Sequence, residues 1–383
     1  MKIYTPPMGW NSWNTFGNNI DEKLVMESAD KLVETGLAEC GYNYIVIDDF
    51  WALKQRDENG KLVPDPKKFP SGMKHLADYI HSKGLKFGMY SCCGNLTCAG
   101  YPGSYQHEFD DAASFAEWGV DFLKYDYCFR PDSVPSDILY KRMSIALKNC
   151  GRDILFSACS CGHDGTRKWI GETGSHMWRT TEDIYDNWKT LRELSVLGIE
   201  NAKYGGIGRF ADMDMLIVGM CGNGNVGLGG CTLEEYKMHF SLWALLNSPL
   251  MIGCDIRNMS EDTKKILMNK EVIAINQDEE SNVPFSIKRT GNPTDNYEDV
   301  MIFAKILSNG DYAIGAFNFS ENEINVWETS VTTEKLGLDE ATKKTLLMKD
   351  LWTGETEKVE NGIIRLSLKP HTFKLFRAKI INK

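Results

Sequence analysis

The residues best suited to chemistry in this chain are acids that end short apolar runs. Asp48 and Asp49 follow Tyr44-Ile45-Val46-Ile47, and Lys124 and Asp126 follow Val120 to Leu123. Asp183 sits in Met177-Trp178-Arg179-Thr180-Thr181-Glu182-Asp183, and Asp212 and Asp214 precede the run Met215 to Met220. A strand alternates faces, so Lys124 and Asp126 point to one side while Tyr125 points to the other. An ammonium beside a carboxylate favours the ionised acid, as a nucleophile or electrostatic stabiliser requires, although a structural ion pair at a strand end has the same spacing. Two carboxylates flanking a glycosidic bond suffice to hydrolyse it. A separation of about 5 to 5.5 Å gives retention, and a wider gap that admits water gives inversion. Chain spacing supplies the acids and leaves their separation open.

Other constellations carry less. Gly222-Asn223-Gly224-Asn225-Val226-Gly227 matches G-x-G-x-x-G, but Leu228-Gly229-Gly230 follows where a dinucleotide site needs a helix N-terminus. Cys92, Cys93, Cys98, Cys128, Cys159 and Cys161 match no paired C-x-x-C zinc spacing, so no metal site is expected. His163 and His176 lack ligand spacing and read as ordinary polar or core histidines. Trp10 and Trp13 offer either core mass or a flat wall for a sugar ring, and Tyr90 either a buried phenol or a hydroxyl over a ligand.

The elements that must position these acids repeat one theme from Tyr42 to about Cys254. Apolar runs too continuous for a half-exposed strand alternate with amphipathic segments, which predicts parallel strands covered on both faces. Met73, Leu76, Ala77 and Ile80 share a helical face before Gly84. Val25, Ala29, Leu32 and Val33 do so before Gly36, and Leu139, Met143, Ala146 and Leu147 before Gly151. Such alternation over roughly 280 residues predicts an α/β fold, a closed (β/α)8 barrel in preference to an open sheet, with its site at the C-terminal ends of the strands. After about Phe285 the texture changes: Val300 to Leu307 and Tyr312 to Phe319 flank Asn309-Gly310, a hairpin signal, and strand-like alternation continues around Pro370-His371. The expected organisation is a catalytic barrel over 1–284 and an antiparallel β domain over 285–383.

Composition narrows the partners. Of 383 residues, 43 are Lys or Arg and 53 Asp or Glu, a net charge of -10 that disfavours nucleic acid and anionic membranes and suits a neutral small-molecule or oligosaccharide ligand. No apolar stretch approaches the length of a membrane span. The N-terminal Met1-Lys2-Ile3-Tyr4 has no signal-peptide pattern, and the 11 cysteines are odd in number and scattered, so a cytoplasmic, mostly reduced protein is expected.

Six motifs, in order, resemble glycoside hydrolase family 27, the α-galactosidases and α-N-acetylgalactosaminidases. They are Met8-Gly9-Trp10-Asn11-Ser12-Trp13, Ile47-Asp48-Asp49, the stretch Gly94 to Ser104, Lys124-Tyr125-Asp126, Trp178-Arg179 with Asp183, and Ala274-Ile275-Asn276-Gln277-Asp278. The resemblance implies a (β/α)8 TIM barrel followed by a C-terminal antiparallel β-sandwich, and a retaining double displacement without metal or cofactor. It places the nucleophile at Asp126 and the acid/base at Asp183, whose pKa should be raised for the first step. It places sugar contacts at Trp13, Asp48, Asp49, Tyr90, Lys124, Arg179 and Asp214, and a disulfide near the site between Cys98 and Cys128.

The chain departs from the family pattern at three places. Tyr127 stands where relatives have Asn after the nucleophile, and Phe210-Ala211-Asp212-Met213-Asp214-Met215 replaces Trp-Asn-Asp-Pro-Asp-Met. Cys159-Ser160-Cys161 replaces Cys-Glu-Trp, and because the family's α-N-acetylgalactosaminidases carry Ser for that Glu, Ser160 suggests a pocket tolerant of a 2-acetamido group. The sequence therefore predicts a retaining exo-α-glycosidase of the α-galactosidase type. A β-L-arabinopyranosidase, a silent sugar-binding barrel and a cysteine-based redox or metal protein remain the alternatives.

Overall fold

The computed structural model describes residues 3–291 and 298–382. Eight parallel strands form one sheet: β1 (Met8–Asn11), β2 (Tyr44–Val46), β3 (Lys86–Cys92), β4 (Phe122–Asp126), β5 (Leu155–Ala158), β6 (Met177–Arg179), β7 (Phe210–Asp212) and β8 (Leu250–Ile252). β1 pairs with both β2 and β8, and a parallel bridge from Leu216 to Ile252 brings the chain just past β7 against β8, closing the barrel. Gly9 permits the close approach of β1 to β2, because a Cβ there would lie 2.4 Å from the Tyr44 carbonyl oxygen.

Helices α1 (Glu22–Glu34), α2 (Gly72–Ser82), α3 (Glu108–Trp118), α4 (Ser136–Asn149), α5 (Trp188–Ala202), α6 (Leu233–Leu245), α7 (Glu261–Leu267) and α8 (Lys270–Asn276) surround the strands. The apolar faces read from the sequence are buried in α2 and α4 and along Val25, Ala29 and Leu32 of α1, whereas Val33 is 40% exposed at the edge of the stripe. Asp21 caps α1 by accepting from the Leu24 amide, and Gly36, Gly84 and Gly151 take the left-handed conformation after α1, α2 and α4. The Gly222–Gly227 motif leads into the short strand Gly227–Gly230, not a helix, so no pyrophosphate cradle forms. The connection after β5 has no α-helix: Gly162 and Gly165 interrupt it, and 3-10 turns at His163–Lys168 and Ile170–Glu172 take its place.

The C-terminal sheet is antiparallel: β9 (Phe285–Gly291), β10 (Glu298–Ile306), β11 (Tyr312–Asn318), β12 (Lys344–Asp350), β13 (Thr356–Lys358) and β14 (Phe373–Asn382), in spatial order β9-β10-β11-β14-β12-β13. Its two faces have different duties, which explains why Val300 to Leu307 reads as one apolar run. Val300, Ile302 and Ala304 join the small domain's own core, while Met301 and Phe303 join the barrel's core. Lys305, next on the barrel side and fully buried, donates to Asn247 Oδ1 and the Ile275 carbonyl.

Burial lowers the Lys305 pKa from 10.5 to about 8. Below that value both states carry the proton and the fold bears the cost of a buried charge. As pH rises from about 8 to 10.5 the unfolded chain holds more protons, so stability increases. Wild type should therefore gain up to about 3 kcal/mol over Lys305→Met between about pH 7.5 and pH 10.5, measured by chemical denaturation. A constant difference would show that the lysine does not titrate in this window.

Candidate active site

The C-terminal ends of the barrel strands converge on a cavity of about 60 Å³, space for a handful of waters. Eight of the residues singled out by sequence meet there: Trp13, Asp48, Tyr90, Lys124, Asp126, Arg179, Asp183 and Asp214. The other two stand off. Asp49 is buried beside the site, its carboxylate held by the amides of Phe50 and Ala99. Ser160 is fully buried, with its hydroxyl against Thr166 Oγ1 at 2.6 Å, and the strand-five residue that lines the cavity is Cys159. Ser160 is not among the residues that line the cavity, and the chain turns directly after it at Cys161 (φ 52°).

The two cations settle in pairs. Lys124 Nζ donates to Asp48 Oδ2 at 2.9 Å, and Asn11 Nδ2 donates to the same oxygen at 2.9 Å. Lys124 and Asp126 share a side of β4 as expected, but the direct partner of the lysine is Asp48. Burial works against the ammonium, and Asp48 and then Asp126 outweigh it and hold its pKa above the ordinary value. Arg179 Nη2 reaches Asp214 Oδ2 at 2.9 Å and Asp183 Oδ1 at 3.0 Å. Asp214 is left-handed (φ 80°) and is fixed by the Ile184 and Met215 amides, each at 2.7 Å.

Asp126 lies deep and is held on both oxygens. Tyr90 donates its hydroxyl to Oδ2 at 2.7 Å, and the Tyr127 amide donates to Oδ1 at 2.9 Å. The sulfur of Cys98, bridged to Cys128, lies 3.2 Å from Oδ2. Asp183 sits on the loop after β6 with its side chain 56% exposed, so it faces the mouth. Trp13 stacks on Phe50 at 6.0 Å and forms a flat wall.

The proton preferences differ from the sequence expectation. Burial raises the pKa of Asp126, with Lys124 and Tyr90 pulling it back only in part. At Asp183 burial also raises it, but the charges of Arg179 and Lys124 prevail and the net shift is downward. The sequence resemblance gave Arg179 as a sugar contact and did not show that its guanidinium pairs with Asp183. Asp212, below the cavity, is pushed up to about 6 by burial.

Similarity to known proteins bears on this arrangement. The alpha galactosidase A family profile matches residues 5–278, and the alpha galactosidase C-terminal beta sandwich domain profile matches residues 297–378. The chain belongs to glycoside hydrolase family 27. Among its relatives, the alpha-galactosidase of Cyamopsis tetragonoloba is 43% identical over 373 residues, covering 97% of this chain and 85% of that protein. Alpha-galactosidase I from Mortierella vinacea superimposes with a TM-score of 0.89 at 33% identity, covering 98% of this chain and 97% of the other. Alpha-galactosidase from Saccharomyces cerevisiae, solved with raffinose, does so with 0.86 at 29% identity, covering 99% and 98%. The barrel and β-sandwich of the family are both present. The bridge implied by the family resemblance is formed between Cys98 and Cys128, and the other nine cysteines are free. No helix among the described residues is long and apolar enough to cross a membrane.

If Arg179 is what holds Asp183 low, Arg179→Gln should raise the midpoint of the Asp183 carboxyl in a 13C titration, with Asp183→Asn assigning the resonance. An unchanged midpoint would remove the guanidinium as the cause.

Proposed function

We propose that this family 27 glycosidase is a retaining exo-α-galactosidase in which Asp126 is the nucleophile and Asp183 the acid/base. The observation that carries the reading is that both carboxylates line one cavity at the strand ends, Asp126 at its depth and Asp183 at its mouth. A nucleophile must meet the anomeric carbon of the enclosed sugar, so a fixed carboxylate inside the cavity suits it. An acid/base must reach the oxygen that links sugar to aglycone, and in an exo enzyme that oxygen lies at the opening. Asp48, Lys124 and Tyr90 offer acceptors and donors to the ring hydroxyls, and Trp13 offers it an apolar face.

Asp126 attacks C1 as Asp183 gives its proton to the departing oxygen; water, deprotonated by Asp183, then hydrolyses the glycosyl ester. Asp183 must be protonated for the first step, and the Arg179 charge opposes this. A sugar hydroxyl that takes over the Arg179 Nη2 donors relieves Asp183 of its partner, so substrate arrival itself raises the acid's proton affinity. Hydrolysis of N-acetylgalactosaminides is the lesser reading, because its basis in the sequence, Ser160, is not among the residues that line the cavity. A cytoplasmic location is supported by the nine free cysteines and opposed by the Cys98–Cys128 bridge.

Release of nitrophenol should be fastest from the α-galactoside when compared with the α-N-acetylgalactosaminide and β-L-arabinopyranoside. Proton NMR of the first product should show the α anomer before mutarotation. Asp126→Asn should lower kcat/KM by about three orders of magnitude or more. First appearance of the β anomer, or an active Asp126→Asn, would refute the mechanism.

A further inference from the structure

The connection after β5 is the one barrel unit without an α-helix, and it is strained. Within five residues Cys161 (φ 52°), Gly162 (77°), Asp164 (50°) and Gly165 (64°) all adopt the left-handed conformation, which costs energy at the two residues that are not glycine. Such a segment persists when its surroundings over-determine it, and here they do so from both sides of the cavity.

On the side of Asp126, the contacts converge on Tyr127, whose amide already donates to the Asp126 carboxylate. The Tyr127 hydroxyl donates to Asp164 Oδ2, Ser136 Oγ donates to the same oxygen at 2.6 Å, and Arg130 Nη2 lies 3.2 Å from it. The Tyr127 ring is stacked between Tyr140 at 6.1 Å and His163 at 6.3 Å, with the Arg130 guanidinium 4.8 Å from its centre. Tyr127 departs from the family's usual Asn, so this bracing uses a side chain that the usual pattern does not supply. On the side of Asp183, His163 Nε2 lies 2.9 Å from the carboxylate of Glu182, the residue directly before Asp183. Gly162 packs so closely on that same loop that a Cβ would lie 2.7 Å from the Thr180 carbonyl oxygen.

We propose that residues 161–165 are a positioning clamp: Asp164 holds Tyr127 behind the nucleophile, and His163 holds Glu182 beside the acid/base, so one turn sets the register of both carboxylates. This rests on the roles proposed above for Asp126 and Asp183. Tyr127, His163 and Asp164 are positioning residues that need not touch substrate. The His163–Glu182 pair is exposed and contributes little to stability, so its loss should register in catalysis.

The two halves of the clamp predict different losses. An alkyl α-galactoside needs a proton on its leaving oxygen, whereas a 2,4-dinitrophenyl α-galactoside departs without one, and both need the nucleophile. In His163→Ala and in Glu182→Gln, kcat/KM should fall about tenfold for the alkyl substrate and stay within about twofold for the dinitrophenyl substrate. In Tyr127→Phe, which keeps the ring stack and removes the hydroxyl, both substrates should lose about tenfold together. Melting temperatures near that of wild type would show that each fold is intact. Equal losses on both substrates in His163→Ala and Glu182→Gln, or no loss in any variant, would overturn the clamp. A wild-type enzyme that cleaves neither substrate would instead sink the α-galactosidase reading itself.

Discussion

Charge balance in a confined space governs this molecule. Asp48, Asp126, Asp183, Asp212 and Asp214 crowd the strand ends around only Lys124 and Arg179. A buried ion pair tolerates removal from water only when its geometry is good and its remaining lone pairs are satisfied. Asn11 adds a second donor to the Asp48 oxygen that pairs with Lys124, and the Ile184 amide adds one to the Asp214 oxygen that pairs with Arg179, whose buried Nε is left without a partner among the described residues. Burial raises the proton affinity of Asp126, Asp212 and Asp214, and neighbouring carboxylates add to it. Asp183 is shifted down because the charges of Arg179 and Lys124 outweigh its burial. A neutral, hydroxyl-rich ligand fits such a place better than an anion, because it brings donors without adding charge.

Much of this was legible in the sequence for a definite reason. A parallel strand sandwiched between layers has a run of apolar residues that stops where the chain emerges, so Asp48, Asp49, Lys124 and Asp126 marked the candidate site by ending such runs. Pairing was not legible. Lys124 and Asp126 are two residues apart on one strand, yet the lysine's direct partner is Asp48, 76 residues earlier, because residues from the alternate strands β2 and β4 meet inside the barrel across β3. The burial of Ser160 was equally hidden, since a strand end extrapolated by alternation cannot foresee the left-handed turn at Cys161. The clamp residues left a signal only after the fact: Gly162-His163-Asp164-Gly165 cannot continue a helix, and a barrel unit lacking one has its loop free for other work.

The small domain was recognisable as β by its hairpin turn, where Gly310 is left-handed between β10 and β11. Less visible was the division of labour within β10, whose alternate side chains belong to two different cores. A run that is apolar at both parities looks like a strand sandwiched within one domain. Here its second partner is the barrel.

That double allegiance bears on modularity. Two separately recognisable sequence units make a single thermodynamic object, because the outer wall of the barrel near α6 and α8 is finished by the sheet that follows it. A barrel cut away at the junction would keep every residue that lines the strand-end cavity and yet carry an oily scar where Met301, Phe303 and Phe317 had lain. It would also leave the side-chain oxygen of Asn247 without the ammonium that had answered it. Exchange of C-terminal domains among relatives is accordingly constrained by this seam and not by the distant chemistry.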